Sequence, residues 1–146
     1  VAALVYINAF IPTDGISQND LLPDWRREMI EEELKSDPDA WRMPAPTPEL
    51  IGVTDPEVAA WITDKMTVQS AKTMADRATI TGGIDQITNR TFIRATGYRN
   101  STFDATVKEF QAHPQWQGIE LDTSHDAMIT AAEEVTGILQ GVAESL

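Results

Sequence analysis

The sequence predicts an α/β protein built on a parallel sheet, with this chain supplying only part of the strands. Three observations carry that expectation. Strand-like and helix-like patterns alternate through the second half of the chain, which implies parallel strands joined by right-handed crossovers. Residues 2–10 form a nearly unbroken run of apolar and β-forming residues, the pattern of a strand covered on both faces. Only three such strands can be found. That is a poor stand-alone core for the helices around them, and the first strand would leave an apolar edge exposed.

The chain has 146 residues, enough for one domain or a large piece of one. It opens directly on the apolar strand, without an initiator Met or a basic leader, and this start is read as a cut or an internal boundary. No apolar run approaches the ~20 residues that span a bilayer, so no membrane partner is expected. The net charge of −12 repels phosphate backbones and argues against nucleic acid. The absence of cysteine excludes disulfides, thiolate catalysis and Cys-ligated metals. A cytoplasmic setting is expected.

Along the chain, Pro12, Asp14 and Gly15 close the first strand with turn chemistry. Residues 19–36 read as a helix, because Leu22, Trp25 and Met29 fall on one face while Arg26, Arg27 and Glu31 to Glu33 make a wet one. Asp37, Pro38 and Asp39 are expected to stop it. Residues 41–54 carry Pro44, Pro46 and Pro48 and read as an ordered loop, since Trp41, Met43, Leu50 and Ile51 are too apolar for a solvated linker. Thr54 and Glu57 then form a capping box around Pro56, opening a helix whose apolar face is Val58, Trp61, Ile62 and Met66. A further helix is expected over residues 68–79, ended by Gly82 and Gly83. The second strand is residues 90–97, followed by a helix over 103–112. The third strand is 116–121, followed by a loop at 122–126. The last helix is 130–145, with Thr130 and Glu133 as a second capping box.

The loop holds the residue with most chemical potential. His125 lies between a strand and the terminal helix, at the carboxyl end of a strand, where open α/β sheets gather ligands. An imidazole there titrates near neutral pH and can act as a general base. The same ring could instead simply bond Asp122 or Asp126, and the spacing leaves both readings open. His113, in a turn before Pro114, reads as a surface residue. The acidic run Glu31 to Glu33 lacks a partnering histidine or a calcium-loop pattern and reads as a solvated face; no metal and no cofactor is expected.

The string ELDTSHDAMIT (120–130), with RTFIRATG (90–97) before it and LVYINAFIPTDG (4–15) at the start, resembles the C-terminal part of α/β-hydrolases. The likeness is to the small esterase, methylesterase and hydroxynitrile-lyase-like branch, and it runs over essentially the whole chain. It implies the C-terminal part of an α/β-hydrolase sheet with an inserted helical cap: core strand and turn at 1–14, cap or lid at 15–88, and core strands, histidine loop and last helix at 89–146. It also implies that His125 is catalytic and that the nucleophilic serine sits in a G-x-S-x-G elbow upstream. None of the six serines here (17, 36, 70, 101, 124 and 145) has those glycines. The expected partner is therefore an N-terminal half carrying that serine and the oxyanion hole, and the expected ligand is a small acyl substrate.

The family's acid often follows the penultimate strand. Here that stretch reads Gly97-Tyr98-Arg99-Asn100, with no carboxylate. Asn8, through its carbonyl oxygen, or Asp104 could take its place, with Asp14 ranked lower. Trp25, Met29, Trp41, Trp61 and Met66 would line an apolar substrate pocket, although any one of them could be plain cap packing. Replacing His125 by alanine is expected to lower turnover about 10³-fold or more. Hydroxynitrile-lyase-type cleavage or non-catalytic ligand binding on the same fold are the alternatives.

Overall fold

Three segments carrying β-branched and aromatic residues form the parallel sheet, and the carboxyl ends of those strands carry the loop that holds His125. The computed structural model describes residues 1–22, 24–36 and 41–146. In chain order the elements are β1 (Ala3–Ile7), a 3₁₀ turn (Asn19–Leu21), α1 (Asp24–Ser36), β2 (Arg42–Met43), α2 (Pro56–Lys65) and β3 (Gln69–Ser70). There follow α3 (Lys72–Ala75), a second 3₁₀ turn (Gly83–Gln86), β4 (Asn89–Ala95), α4 (Ser101–Gln111), β5 (Trp116–Leu121), α5 (Ala127–Thr130) and α6 (Ala132–Glu144).

The chain divides into two compact units. The first comprises 1–10, 47–64 and 82–146, and the second comprises 11–46 and 65–81. Residues 47–64, which the sequence groups with the cap, thus belong to the unit that holds the sheet.

In the first unit the strand order is β1-β4-β5, both pairings parallel. The first strand, expected to be covered on both faces, is half-buried and pairs on one side only among the described residues. The central place belongs to β4, whose residues from Arg90 onward are all buried. Its side chains alternate between faces as a pleat requires. Phe92 points toward α4, meeting Phe103 and Phe110 edge-on at 6.3 and 5.8 Å. Phe110 stacks on Trp116 of β5 at 3.8 Å. Ala95 turns the other way and packs with Ala127, Val135, Ile7 and Leu121.

The second unit is held differently. β2 and β3 pair antiparallel, and the backbone N–H of Ala71 donates to Trp41 O at 2.6 Å. Arg77 reaches Asp20 and the carbonyl of Gly15, while Asp14 accepts the N–H of Ile80 at 2.9 Å.

Several sequence expectations are corrected. The helix predicted over 68–79 shrinks to Lys72–Ala75, because Gln69 and Ser70 are taken into the β2–β3 ribbon. The loop predicted over 41–54 contributes β2 to it. The cap of α2 is Asp55, not Thr54: Asp55 Oδ1 accepts the N–H groups of Glu57 and Val58, both at 2.9 Å. With Pro56 at the first helical position, the residue just before it is the one whose side chain can reach those donors. Thr130 caps nothing, since it ends α5, and α6 begins at Ala132 without a side-chain cap. The helix stop predicted at 37–39 lies outside the described residues. Among the described residues no helix is long and apolar enough to cross a membrane.

Candidate functional site

The carboxyl ends of β1, β4 and β5 bring three loops together. The loop after β5 carries His125 and is tied from two sides. Its backbone N–H at His125 donates to Ile51 O at 2.8 Å, and Gly97 N–H, just beyond β4, donates to Thr123 O at 2.9 Å. Within the loop Thr130 Oγ1 lies 2.6 Å from Thr123 Oγ1 and 2.8 Å from the buried Ser124 Oγ. Its task is to brace the loop rather than to open a helix.

Gly97 is there because nothing larger fits. A Cβ at this position would stand 2.6 Å from Thr123 O, a backbone atom that cannot swing aside. Gly97→Ala is therefore expected to push the histidine loop away and to lower stability by about 1–3 kcal/mol. A lower urea midpoint at unchanged slope would register it.

His125 meets Asn8, the residue that follows β1. The Asn8 side chain is 1% exposed and its backbone is left-handed at φ 45. Asn tolerates that conformation better than most residues, and it turns the side chain from the strand end toward the imidazole. Asn8 Nδ2 lies 2.6 Å from His125 Nδ1. Asn8 Oδ1 accepts from Arg94 Nη1 at 3.1 Å and from the Ala95 N–H at 3.2 Å. Those two partners can only donate, so the atom facing them must be the oxygen and the atom facing the ring must be the amide nitrogen. The expectation that Asn8 orients the ring through its carbonyl oxygen is corrected accordingly.

Arg94 lies at the centre of the cluster and is 1% exposed. Its Nε and Nη2 bind Asp104 Oδ1 at 2.8 and 2.7 Å, Nη2 also donates to Tyr98 O at 2.6 Å, and Nη1 donates to Ala95 O as well as to Asn8. All of the guanidinium's N–H donors thereby have acceptors, which is what a buried charge requires. Asp104, in the first turn of α4, meets Arg94 rather than His125. The two candidate acid replacements, Asn8 and Asp104, thus belong to one network, with Asn8 touching the ring and Asp104 acting through the guanidinium. Asp14 sits in the second unit on the Ile80 N–H. Tyr98 packs on the imidazole with ring centroids 4.5 Å apart.

Burial holds the His125 imidazole below its ordinary pKa; Asp126 opposes this and the Arg94 charge adds to it. The sign for stability follows. Above about pH 6.5 the ring is neutral whether the chain is folded or not, so it contributes no pH dependence. As the pH falls below that value the unfolded chain takes up the proton first, and the fold loses stability until the folded value is passed. The difference in urea midpoint between wild type and His125→Gln is expected to shift against the wild type over that interval and to stay flat above it.

A cleft of about 510 Å³ opens beside the loop, lined by the apolar Val53, Val58 and Ile129 and by the polar Thr54, Asp55, Asp122, Thr123, Ser124 and Thr130. Among the candidate substrate contacts, Trp61 is exposed in the unit that holds His125. Trp25, Met29 and Trp41, exposed, and Met66, half-buried, lie in the other unit. Among the described residues no group of His, Asp and Glu side chains converges to hold a metal ion.

Arg94 and Tyr98 were missed as site residues from the sequence. A signal exists for Arg94: a charge between Ile93 and Ala95 in a strand expected at the centre of the sheet must find buried acceptors.

No family model matches the chain. It is 25% identical over 142 residues to a carbendazim hydrolyzing esterase of Nocardioides sp. (strain SG-4G), in an alignment covering 92% of this chain and 58% of that enzyme. The chain thus spans a little over half the length of the curated relative it matches. The likeness supports a hydrolase-like relationship, and an α/β fold with a parallel sheet fits it.

Proposed function

We propose that this chain forms the C-terminal half of an α/β-hydrolase-fold ester hydrolase, bringing the catalytic histidine to a serine carried on an N-terminal segment. The observation that carries the reading is the placement of His125. Its loop and its partners Asn8 and Arg94 converge at the carboxyl ends of three parallel strands, the side where such sheets bind ligands. The distant likeness to an esterase points the same way. In the proposed reaction the serine hydroxyl attacks the carbonyl of an ester, lactone or similar acyl group. His125 relays the proton from that hydroxyl to the leaving oxygen, and water then releases the acid. The cleft beside the loop sets Val53, Val58 and Ile129 against Thr54, Asp55, Asp122 and Thr123, a mixed wall that suits a small acyl substrate with both apolar and polar parts.

A second reading, ligand binding without turnover, is favoured by one observation: an amide rather than a carboxylate faces His125 Nδ1. A fluorophosphonate probe applied to the protein with its N-terminal segment separates the two. Labelling of a serine that is slowed by His125→Ala supports the hydrolase. A protein that stays unlabelled overturns it and leaves the binding reading.

A further inference from the structure

Asn8 sits where it decides which nitrogen of His125 carries the proton. Its amide nitrogen faces Nδ1 at 2.6 Å, and its amide oxygen is held on the far side by Arg94 Nη1 and the Ala95 N–H. Nδ1 must then accept, so a neutral ring carries its hydrogen on Nε2. Nε2 makes no hydrogen bond among the described residues. We infer that Asn8 is a tautomer lock, a positioning residue that makes the resting imidazole offer Nε2–H to an acceptor oxygen of the ligand, a carbonyl or carboxylate, and so withholds the lone pair that proton uptake from a hydroxyl needs. The tautomer rests on this geometry alone; its consequence for turnover rests on the hydrolase reading, in which the ring has to change tautomer before it takes the serine proton.

The lock is held at both ends. For Nε2 to accept a hydroxyl proton, the ring must first give up the hydrogen on Nε2 and gain one on Nδ1 through solvent, with no net change in protons. That Nδ1–H then points at the Asn8 NH₂, donor against donor. Turning the amide over relieves this clash but aims the NH₂ at Arg94 and at the Ala95 N–H, which are donors too. The imidazolium meets the same obstacle at Nδ1. A carboxylate at position 8 would remove it. Its oxygens accept from Arg94, from the Ala95 N–H and from Nδ1–H together, and Asp tolerates the left-handed backbone as Asn does.

The experiment is heteronuclear NMR of the imidazole nitrogens in the full protein, with His113→Gln to assign the two rings. In the native protein above neutral pH, His125 is expected to show hydrogen on Nε2 and a bare Nδ1; hydrogen on Nδ1 overturns the lock. In Asn8→Asp the hydrogen is expected on Nδ1, and an unchanged tautomer in the folded variant also overturns it. With p-nitrophenyl acetate as probe, Asn8→Asp is expected to raise turnover about 10²–10⁴-fold, the converse of the loss when a triad Asp becomes Asn. If the tautomer moves while no ester is cleaved, the lock stands and the hydrolase reading falls. If the native tautomer is hydrogen-on-Nδ1 while esters are cleaved, the lock falls and the hydrolase stands.

Discussion

His125→Ala is expected to lower p-nitrophenyl ester turnover about 10²-fold in the native background and about 10⁴-fold or more in the Asn8→Asp background. The asymmetry follows from the amide at Nδ1. A complete serine triad loses about 10⁶-fold when its histidine is removed, and about 10⁴-fold when only the acid becomes an amide. With Asn8 in place most of that second loss is already present, so less remains for the histidine deletion to remove. The effect is therefore smaller than the 10³-fold or more that triad knockouts suggest from the sequence alone, where either Asn8 or Asp104 could orient the ring. Steady-state kinetics on the four proteins (native, each single variant and the double) measures the coupling directly. Equal losses in both backgrounds would show that Asn8 does not act through the imidazole. No loss in either would take His125 out of the chemistry.

What the sequence disclosed depended on whether local pattern or distant partners decided the outcome. Residues 116–121 read as a strand and form β5 with those bounds, because the turn at His113-Pro114 and the loop at 122–126 that delimit it are local signals. The parallel order was legible for the same reason. The helix expected over 68–79 was not, because Gln69 and Ser70 are claimed by Arg42 and Met43, and tertiary pairing overrides helix propensity. At the site, Asn8, Asp104 and His125 could each be named, but their connection could not. It runs through Arg94, more than eighty residues beyond Asn8, and no spacing rule reaches that far. Which end of the Asn8 amide meets the ring was likewise beyond sequence, since it is set by two donors on a different strand.

The second large effect concerns stability. Arg94→Met is expected to cost about 2–3 kcal/mol: the half-buried Tyr98 carbonyl loses the guanidinium donor, while Ala95 O keeps the Tyr98 N–H and Asn8 Oδ1 keeps the Ala95 N–H, so several charge-assisted hydrogen bonds are lost but few acceptors are left bare. The Asp104 side chain, 54% exposed, would rejoin solvent at little cost. Asp104→Ala leaves the guanidinium buried without its counter-charge, and about 2 kcal/mol is expected, below the figure for a fully buried pair because water screens the exposed half. The double variant should cost little more than Arg94→Met alone, since a carboxylate has nothing to neutralise once the arginine is gone. Urea unfolding of the three variants tests this, and additive costs would show that the pair is not coupled. The same cycle bears on the chemistry. Without Arg94 the Asn8 oxygen keeps only the Ala95 N–H, so turning the amide over costs less and His125 should populate both tautomers. Asp104→Ala leaves Arg94 against Asn8 and should leave the hydrogen on Nε2. Stability and tautomer then separate: both variants weaken the fold, but only the loss of Arg94 should free the ring.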